Sequence, residues 1–242
     1  MTAEPEAFAS TRAAWQAGML EALGVPAAVL AAGYIGFGAL AFDADFSLAL
    51  ALFSTLTIWA LPGQIAFIEL RELGTAAPAL VLAVMLTSAR FLPMTVTLLP
   101  MLRHPAYRSW HYYLAGHFVA MTGWAVAVRR CPMLPLEQRL PYFLGFAIGL
   151  WLACMVGTAV GYLASGMINE LATLGLVFLN PVYFILILGG EVRHRQGVLA
   201  LLCGAFAGPL MQFVTPQWAL LVAGILGGTL AFAVDRAWGK KA

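Results

Sequence analysis

Eight long apolar runs follow one another in this chain, and they limit its fold more than any other feature of the sequence. The runs cover residues 24–42, 46–70, 78–101, 111–128, 140–164, 171–190, 197–214 and 216–234. Each is close to the ~20 helical residues that cross a hydrocarbon core of about 30 Å. Of the 242 residues, 62% are hydrophobic and 10% are charged, whereas a soluble domain carries about a quarter charged residues. The sequence therefore predicts an all-α fold, a polytopic membrane helix bundle of about eight transmembrane helices, and excludes a soluble enzyme.

The gaps between the runs are too short to hold a further domain. We expect a single transmembrane transport domain over 24–234. An amphipathic, interfacial segment over 1–23 precedes it, and a short basic tail over 235–242 follows it. The small net charge of +2 forms no basic stripe, so the expected partner surface is a lipid bilayer and not a nucleic acid.

Positive charges are distributed unequally between alternate gaps, and this orients the eight predicted spans. One side receives Arg12, Arg71, Arg129, Arg130, Arg139, Arg193, Arg195, Arg236, Lys240 and Lys241. The other side receives Arg103 and Arg108. Because Lys and Arg are retained on the cytoplasmic side, we expect both termini to be cytoplasmic, in the inner membrane of a bacterium.

Three runs contain helix breakers near their centres. They lie in the motifs Leu61-Pro62-Gly63-Gln64, Asn180-Pro181 and Gly208-Pro209-Leu210-Met211-Gln212. A break frees backbone groups that lipid cannot satisfy, so it either lines a polar cavity or is a plain proline kink. We favour the cavity, because the breaks and Arg90 fall near one level of the bilayer. The similar breaks in spans two and seven also predict an inverted repeat of spans one to three on spans six to eight.

Arg90 is the most informative polar residue, because a guanidinium at mid-depth needs a partner or water. Two interpretations are open: it captures carbonyls freed by Pro62 or Pro93, or it docks a solute carboxylate. Glu69 is either an interfacial carboxylate or a proton carrier. His117 is either a hydrogen-bonded packing residue or part of a proton path. The sequence contains no catalytic motif, metal cluster or cofactor motif, so we expect a carrier for a small, partly apolar solute and not an enzyme.

Several short motifs recur in the order that is typical of one transporter family. They are Gly36-Phe37-Gly38, Ser54 to Gln64 through Trp59-Ala60, Ser88-Ala89-Arg90 followed by Pro100, and Phe178 to Phe184 through Pro181. A basic gap after span six and a Gly-rich last span complete the pattern. Over nearly its whole length the chain resembles the AzlC family, the large subunit of two-component branched-chain amino acid exporters.

The resemblance implies a subunit that extrudes hydrophobic amino acids, coupled to proton entry, together with a small, separately encoded multi-spanning partner of AzlD type. It implies no cofactor. We expect the solute to bind between spans one, two, three, six and seven. The residues expected to bind it are Gly36, Gly38, Pro62, Gly63, Gln64, Arg90, Asn180, Pro181 and Gln212.

The chain also departs from the family pattern. Ser88 and Phe91 replace the usual Asn and His beside Arg90, and Thr122-Gly123-Trp124 stands where Thr-Asp-Glu is common. The missing acids leave two alternatives open. One is a carrier for another small carboxylate-bearing solute, and the other is a membrane-embedded subunit without transport of its own.

Overall fold

The computed structural model describes residues 7–167, 169–190, 195–214 and 219–239. Within these ranges the backbone forms helices joined by turns, and it forms no strand. The α-helices are α1 (Thr11–Ala22), α2 (Val25–Asp43), α3 (Leu48–Thr57), α4 (Leu61–Glu72), α5 (Ala77–Ser88), α6 (Phe91–Leu102), α7 (Ser109–His117), α8 (Met121–Arg130), α9 (Leu136–Leu163), α10 (Glu170–Gly190), α11 (Arg195–Val214) and α12 (Ala219–Gly239).

Three segments of the described chain have the length and apolar character of membrane spans. Two of them are the single helices α2 and α9. The third is the pair α5 and α6, which is bent by 49° at its break and counts only if the two helices form one span. The all-α membrane fold is therefore confirmed, and the count of eight spans is not. By its internal contacts the chain divides into two compact units, Met1–Pro181 and Val182–Ala242.

In the first unit, α9 packs most extensively against α1 and α2. Its 28 residues extend over about 42 Å. A Cβ added to Gly145 would collide with the Trp15 backbone, and one added to Gly161 would collide with the Ile35 backbone. Thus α1 lies along the first half of α9 and α2 along its second half, in parallel, at distances that only glycine allows. The segment predicted to be interfacial therefore packs on α9 through α1.

Residues 48–72 form a helical hairpin and do not cross the unit. The first hairpin consists of α3, a break at 58–60, and α4. At its start, the Tyr162 hydroxyl of α9 donates to the Phe46 carbonyl (2.7 Å). At its end, Arg71 Nη1 donates to the Ala44 carbonyl (3.4 Å), and the guanidinium lies 4.4 Å from the Phe46 ring centre. Both ends of the hairpin are therefore on the same side of the unit.

Residues 109–130 form a second hairpin that enters from the other side. It consists of α7, a break at 118–120, and α8. The loop before it is tied to the start of α9, because the Tyr107 hydroxyl donates to the Glu137 carbonyl (2.8 Å). Arg139 of α9 donates to the carbonyl of Met101, at the end of α6 (3.3 Å). The chain leaves α8 directly into a 3-10 turn, Cys131–Met133, that contacts α6.

The hairpins correct the predicted topology. Arg71 was expected on the opposite side from residues 43–47, yet it bonds Ala44. Residues 103–108 were expected on the opposite side from 129–139, yet Tyr107 bonds Glu137. Spans two and four of the prediction therefore enter and return. A helix of 10 to 12 residues is about 15–18 Å long, which is half of a hydrocarbon core, so a run of about 25 apolar residues fits either arrangement.

The new arrangement makes the charge asymmetry of this unit larger. One end, here the basic end, holds the start of α1, the 103–108 loop and the start of α9; Phe8 is fixed there by two bonds with the Gln138 side chain (2.9 Å each). The cations that belong to it are Arg12, Arg103, Arg108, Arg129, Arg130 and Arg139. The opposite end holds Arg71. Six cations at one end against one at the other fit the rule that cationic ends stay in the cytoplasm.

The last three helices differ from the prediction in their breaks. The backbone of α10 is helical through residues 180 and 181, and α11 contains Pro209 within one helix. The interruptions predicted at these two places are therefore absent. In the second unit α11 packs against α12, where a Cβ at Gly227 would lie 3.2 Å from the Gly204 nitrogen. The predicted inverted repeat of spans one to three on spans six to eight relied on a break in span seven, and α11 has no such break.

Candidate functional site

The two breaks share one backbone design. In the first hairpin α4 begins at Leu61, so Pro62 and Gly63 lie in its first turn. The break itself is at 58–60, three residues earlier than predicted. Proline is tolerated there because the first N–H groups of a helix have no intrahelical partner. The residues that precede α4 and α8, Ala60 and Ala120, are both extended, with φ of −142° and −123°.

A sequence signal for this pair exists at an offset of 60 residues. Ala60 matches Ala120, and Gly63 matches Gly123. Only a short motif is shared, and one copy lies in a run that has no proline at its centre. The search for proline breaks therefore missed the second hairpin. With their entry from opposite ends, the hairpins form the inverted pair that the structure actually contains, in place of the predicted one.

The tips of the hairpins meet halfway along α9. The Trp59 and Phe118 rings are 6.0 Å apart and edge to face, and Phe118 lies 5.8 Å from the Trp151 ring of α9. Trp59 has a φ of +40°, a backbone conformation that is strained for a bulky residue. His117 Nε2 hydrogen-bonds the Leu56 carbonyl at 3.2 Å. His117 thus joins the two hairpins as a packing residue, and its role in a proton path stays a prediction.

The helices that start at the breaks lack the caps found at the ends of the unit. Ser10 caps α1 and Ser47 caps α3, each with its hydroxyl oxygen accepting a backbone N–H. By contrast, α4 and α8 follow alanines, which have no capping group. Among the described residues nothing accepts the N–H groups of Leu61 and Gly63, or those of residues 121–123 in α8. Buried helix starts of this kind attract anions, since free N–H groups and the helix dipole add there.

Gln64, the next residue in α4, is fully buried within a polar cluster. Its Nε2 donates to Ser54 Oγ (3.0 Å) and to Thr55 Oγ1 (3.1 Å). Thr55 Oγ1 lies 3.0 Å from Thr158 Oγ1 of α9. The cluster therefore links α3, α4 and α9 just behind the first break. The Gln64 Oε1 atom is buried and has no hydrogen-bond partner among the described residues.

Arg90 lies at the bend between α5 and α6, where its own backbone precedes the first residue of α6. Its guanidinium carbon is 5.2 Å from the centre of the Phe91 ring, so the residue that replaces the family's histidine covers one face of the cation. Tyr34 of α2 lies near it. Nε is buried without a partner. Within the described ranges no hydrogen bond or ion pair reaches the guanidinium, so the carbonyl capture considered for Arg90 is not observed.

Arg90 is close to the start of α4. A Cβ at Gly63 would lie 3.7 Å from Ser88 Oγ, and Ser88 precedes Arg90 by two residues. The start of α4 therefore lies beside the end of α5, two residues before Arg90. Of the predicted binding residues, Pro62, Gly63 and Gln64 are consecutive in the first turn of α4, and Arg90 follows two residues after the serine that approaches Gly63.

Other predicted site residues lie elsewhere. A Cβ at Gly36 would press on Val177 of α10, and one at Gly38 would collide with the Thr158 carbonyl. Both glycines therefore serve helix packing, which corrects their assignment to substrate binding. Glu69 is exposed in the last turn of α4, near the opposite end, so it is not a buried proton carrier. The side chains of Asn180, Pro181 and Gln212 lie outside the described part of the chain.

An open groove of about 440 Å³ lies between α6 and α7, towards the basic end. Its lining residues are Thr95, Val96, Leu99, Pro100, Arg103, Ser109, Tyr112 and Tyr113. Neither Arg90 nor Gln64 lines it. The groove does reach Thr95, which is about one and a half helical turns from Arg90.

Residues 26–168 match the family model described as AzlC protein. The matched region extends from α2 to the end of α9, and it includes both hairpins, Gln64 and Arg90. This is a shorter part of the chain than the motifs had indicated. Neither a curated protein nor a solved structure matches the sequence.

Proposed function

Since the chain belongs to the AzlC family, whose members are membrane transport subunits, we propose that it is the transport subunit of a secondary exporter for branched-chain or similar apolar amino acids. Its solute binds at mid-depth, between the start of α4 and the bend at Arg90. The protein has no enzymatic reaction of its own. It works in a bacterial inner membrane with a small multi-spanning subunit of AzlD type.

The observation that supports this proposal most strongly is the Arg90 guanidinium, whose buried Nε has no hydrogen-bond partner within the described part of the chain. A cation at this depth costs from about 3 to about 17 kcal/mol when it lacks a partner. Capture of freed carbonyls would have removed the need for a ligand, but the described residues offer no such bond. A solute carboxylate can supply two acceptor oxygens to the planar guanidinium. We therefore assign the carboxylate to Arg90, with the free N–H groups of α4 beside it.

Export and proton coupling rest on the family resemblance. Glu69 is exposed and His117 is bonded to a backbone carbonyl, so neither residue supports a buried proton path. The charge distribution supports an orientation with the basic end in the cytoplasm. The groove at that end supports entry of the solute from the cytoplasmic side, since it approaches Arg90 along α6.

A second candidate function is a carrier for a different small carboxylate. It is favoured by Thr122-Gly123-Trp124, which lacks the acids common at this place. In the structure Trp124 Nε1 donates to Thr97 Oγ1 of α6 (3.0 Å), so this position holds α8 to α6. Such a carrier would use Arg90 in the same way and would move its solute without protons.

The decisive experiment compares Arg90→Ala with Arg90→Lys in purified protein. We expect Arg90→Ala to weaken leucine binding roughly tenfold to a hundredfold, because one charge-assisted contact is worth about 1.5–3 kcal/mol. The melting temperature should not fall, since no described protein group loses a bond. Arg90→Lys should keep part of the affinity, as it retains the charge and loses the two-donor geometry.

Arg103→Ala serves as the matched control, because it removes a cation from the groove. Leucine affinity should then change by less than about threefold, as expected for an exposed charge. If Arg103→Ala weakens binding and Arg90→Ala does not, the solute site lies in the groove. A lower melting temperature of Arg90→Ala with unchanged affinity would return Arg90 to a structural role.

A further inference from the structure

The orphan oxygen of Gln64 indicates what kind of carboxylate the site takes. Gln64 has 0% of its side chain exposed, and its amide lies in the cluster with Ser54 and Thr55. A buried amide normally has partners for both its nitrogen and its oxygen. Here the nitrogen has two partners and the oxygen has none among the described residues.

The orientation of this amide follows from the protons of the neighbouring hydroxyls. Ser54 donates its proton to the Ala51 carbonyl (2.7 Å), and Thr158 donates to the Cys154 carbonyl (3.0 Å). The Thr55 proton is directed to the Ala51 carbonyl or to Thr158. Ser54 and Thr55 therefore both present acceptor lone pairs to Gln64. With these bonds made, the NH₂ group of Gln64 faces the two hydroxyls and Oε1 points away from them.

The break gives this oxygen a second, independent context. Gln64 bonds the last turn of α3 and lies in the first turn of α4, so it sits between the carboxyl end of one half-helix and the amino end of the next. The carboxyl end carries a partial negative charge and the amino end a partial positive charge. An interrupted helix of this kind presents both signs at mid-depth, which suits a solute that carries both a cation and an anion.

We propose that Gln64 Oε1 accepts a hydrogen bond from the α-ammonium group of the solute, whose carboxylate is held by Arg90 and the α4 N–H groups. The inference rests on the proposed function and specifies it further: Gln64 is the residue that selects solutes with an α-ammonium group over carboxylates of the same shape. A neutral acceptor is suited to this task. It pairs with the ammonium and adds no further buried charge beside Arg90, whose charge the solute carboxylate already balances.

The test compares solutes that differ only at the α position. The probes are L-leucine, 2-hydroxy-4-methylpentanoate and 4-methyl-2-oxopentanoate, which share a side chain and a carboxylate. We expect the wild-type protein to bind leucine roughly tenfold to a hundredfold more tightly than the oxo acid, which has no donor at the α position, as one hydrogen bond to a charged group would give. The hydroxy acid should bind with intermediate affinity, because its neutral hydroxyl donates a weaker bond to Gln64 Oε1. Gln64→Leu should lower leucine affinity by that factor and change the affinity for the oxo acid less than about threefold.

Two further variants separate selection from folding. Gln64→Glu keeps an acceptor oxygen, so it should preserve the preference for leucine even if the protein melts at a lower temperature. Arg90→Ala should weaken all three solutes, because each has a carboxylate. The inference is overturned if the wild-type protein binds the three equally, if Gln64→Leu weakens all three equally, or if Gln64→Leu retains the preference. When the wild-type protein binds none of them, the proposed function itself fails. When all three bind equally and depend on Arg90, the proposed function stands and only the role of Gln64 is lost.

Discussion

The first and second hairpins have the same backbone plan and carry different side chains at their tips. In the first, the residue after the shared glycine is Gln64, which is buried in a polar cluster and has a free oxygen. In the second, the matching residue is Trp124, whose indole N–H donates to Thr97 and so connects α8 to α6. Under the proposed function this difference is a division of labour, in which the first hairpin would bind the solute and the second would close the site from the other end.

The second hairpin nevertheless keeps one unsatisfied group. Thr122 is 1% exposed, and its hydroxyl has no partner among the described residues. It lies in the first turn of α8, beside N–H groups that are also free. The comparison therefore assigns specificity to the side chains around the first break, because the free helix start alone is common to both hairpins.

The largest expected effect is on the labelling of cysteines at the ends of the hairpins, where each position should either react completely or not at all. In a background without Cys131, Cys154 and Cys203, single cysteines at Asp43 and Glu72 should both react with an impermeant reagent from outside the cell. A cysteine at Ala106 should react only after the membrane is opened. Eight full spans predict another pattern, with 43 and 106 reactive from outside and 72 protected. Observing that pattern would show that residues 48–72 and 109–130 cross the membrane and do not form re-entrant hairpins.

Glycine substitutions should separate packing positions from hairpin positions. A Cβ at Gly38 meets the Thr158 carbonyl and the Tyr162 nitrogen, both backbone atoms of α9 that cannot move aside. We expect Gly38→Ala to lower the free energy of unfolding by about 1–3 kcal/mol. At Gly63 and Gly123 the nearest atoms would be 3.7 Å and 3.6 Å away, which is ordinary contact.

Gly63→Ala and Gly123→Ala are the matched controls for this loss. Neither should reduce stability, because alanine is the better helix former by about 1 kcal/mol. Thermal unfolding of the three variants in the same detergent is the measurement. Equal losses in all three would mean that the hairpin starts are packed as tightly as α2 against α9.

The smallest expected effect is a gain in stability. Ala60→Ser places a hydroxyl where it can accept the Gly63 N–H, and such a cap is worth about 1 kcal/mol. The same bond would compete with the solute carboxylate, so leucine affinity should fall a few-fold. Ala120→Ser should give the same gain in melting temperature and leave affinity unchanged. If both serines weaken binding to the same extent, the second hairpin binds solute as well, and the division of labour is wrong.

Sequence reasoning selected the residues whose chemistry conflicts with lipid. Arg90, Pro62, Gly63 and Gln64 were all predicted site residues, since a charge, a helix breaker and an amide at mid-depth each require an explanation. It failed for Gly36 and Gly38. A glycine in an apolar helix suits a solute cavity and a tight helix contact equally well, and only the positions of α9 and α10 distinguish them.

The sequence by itself determined that this chain is a helical membrane protein, that it belongs to the AzlC pattern, and that polar chemistry lies at Arg90 and near Pro62. Each of these properties depends on the transfer of individual groups from water to lipid, which a single segment expresses. Only the tertiary structure decided that residues 48–72 and 109–130 enter and return. Hydropathy measures how apolar a run is and carries no direction. The direction was set by contacts between residues that eight full spans would place on opposite sides: Arg71 bonds the Ala44 carbonyl at one end of the unit, and Tyr107 bonds the Glu137 carbonyl at the other.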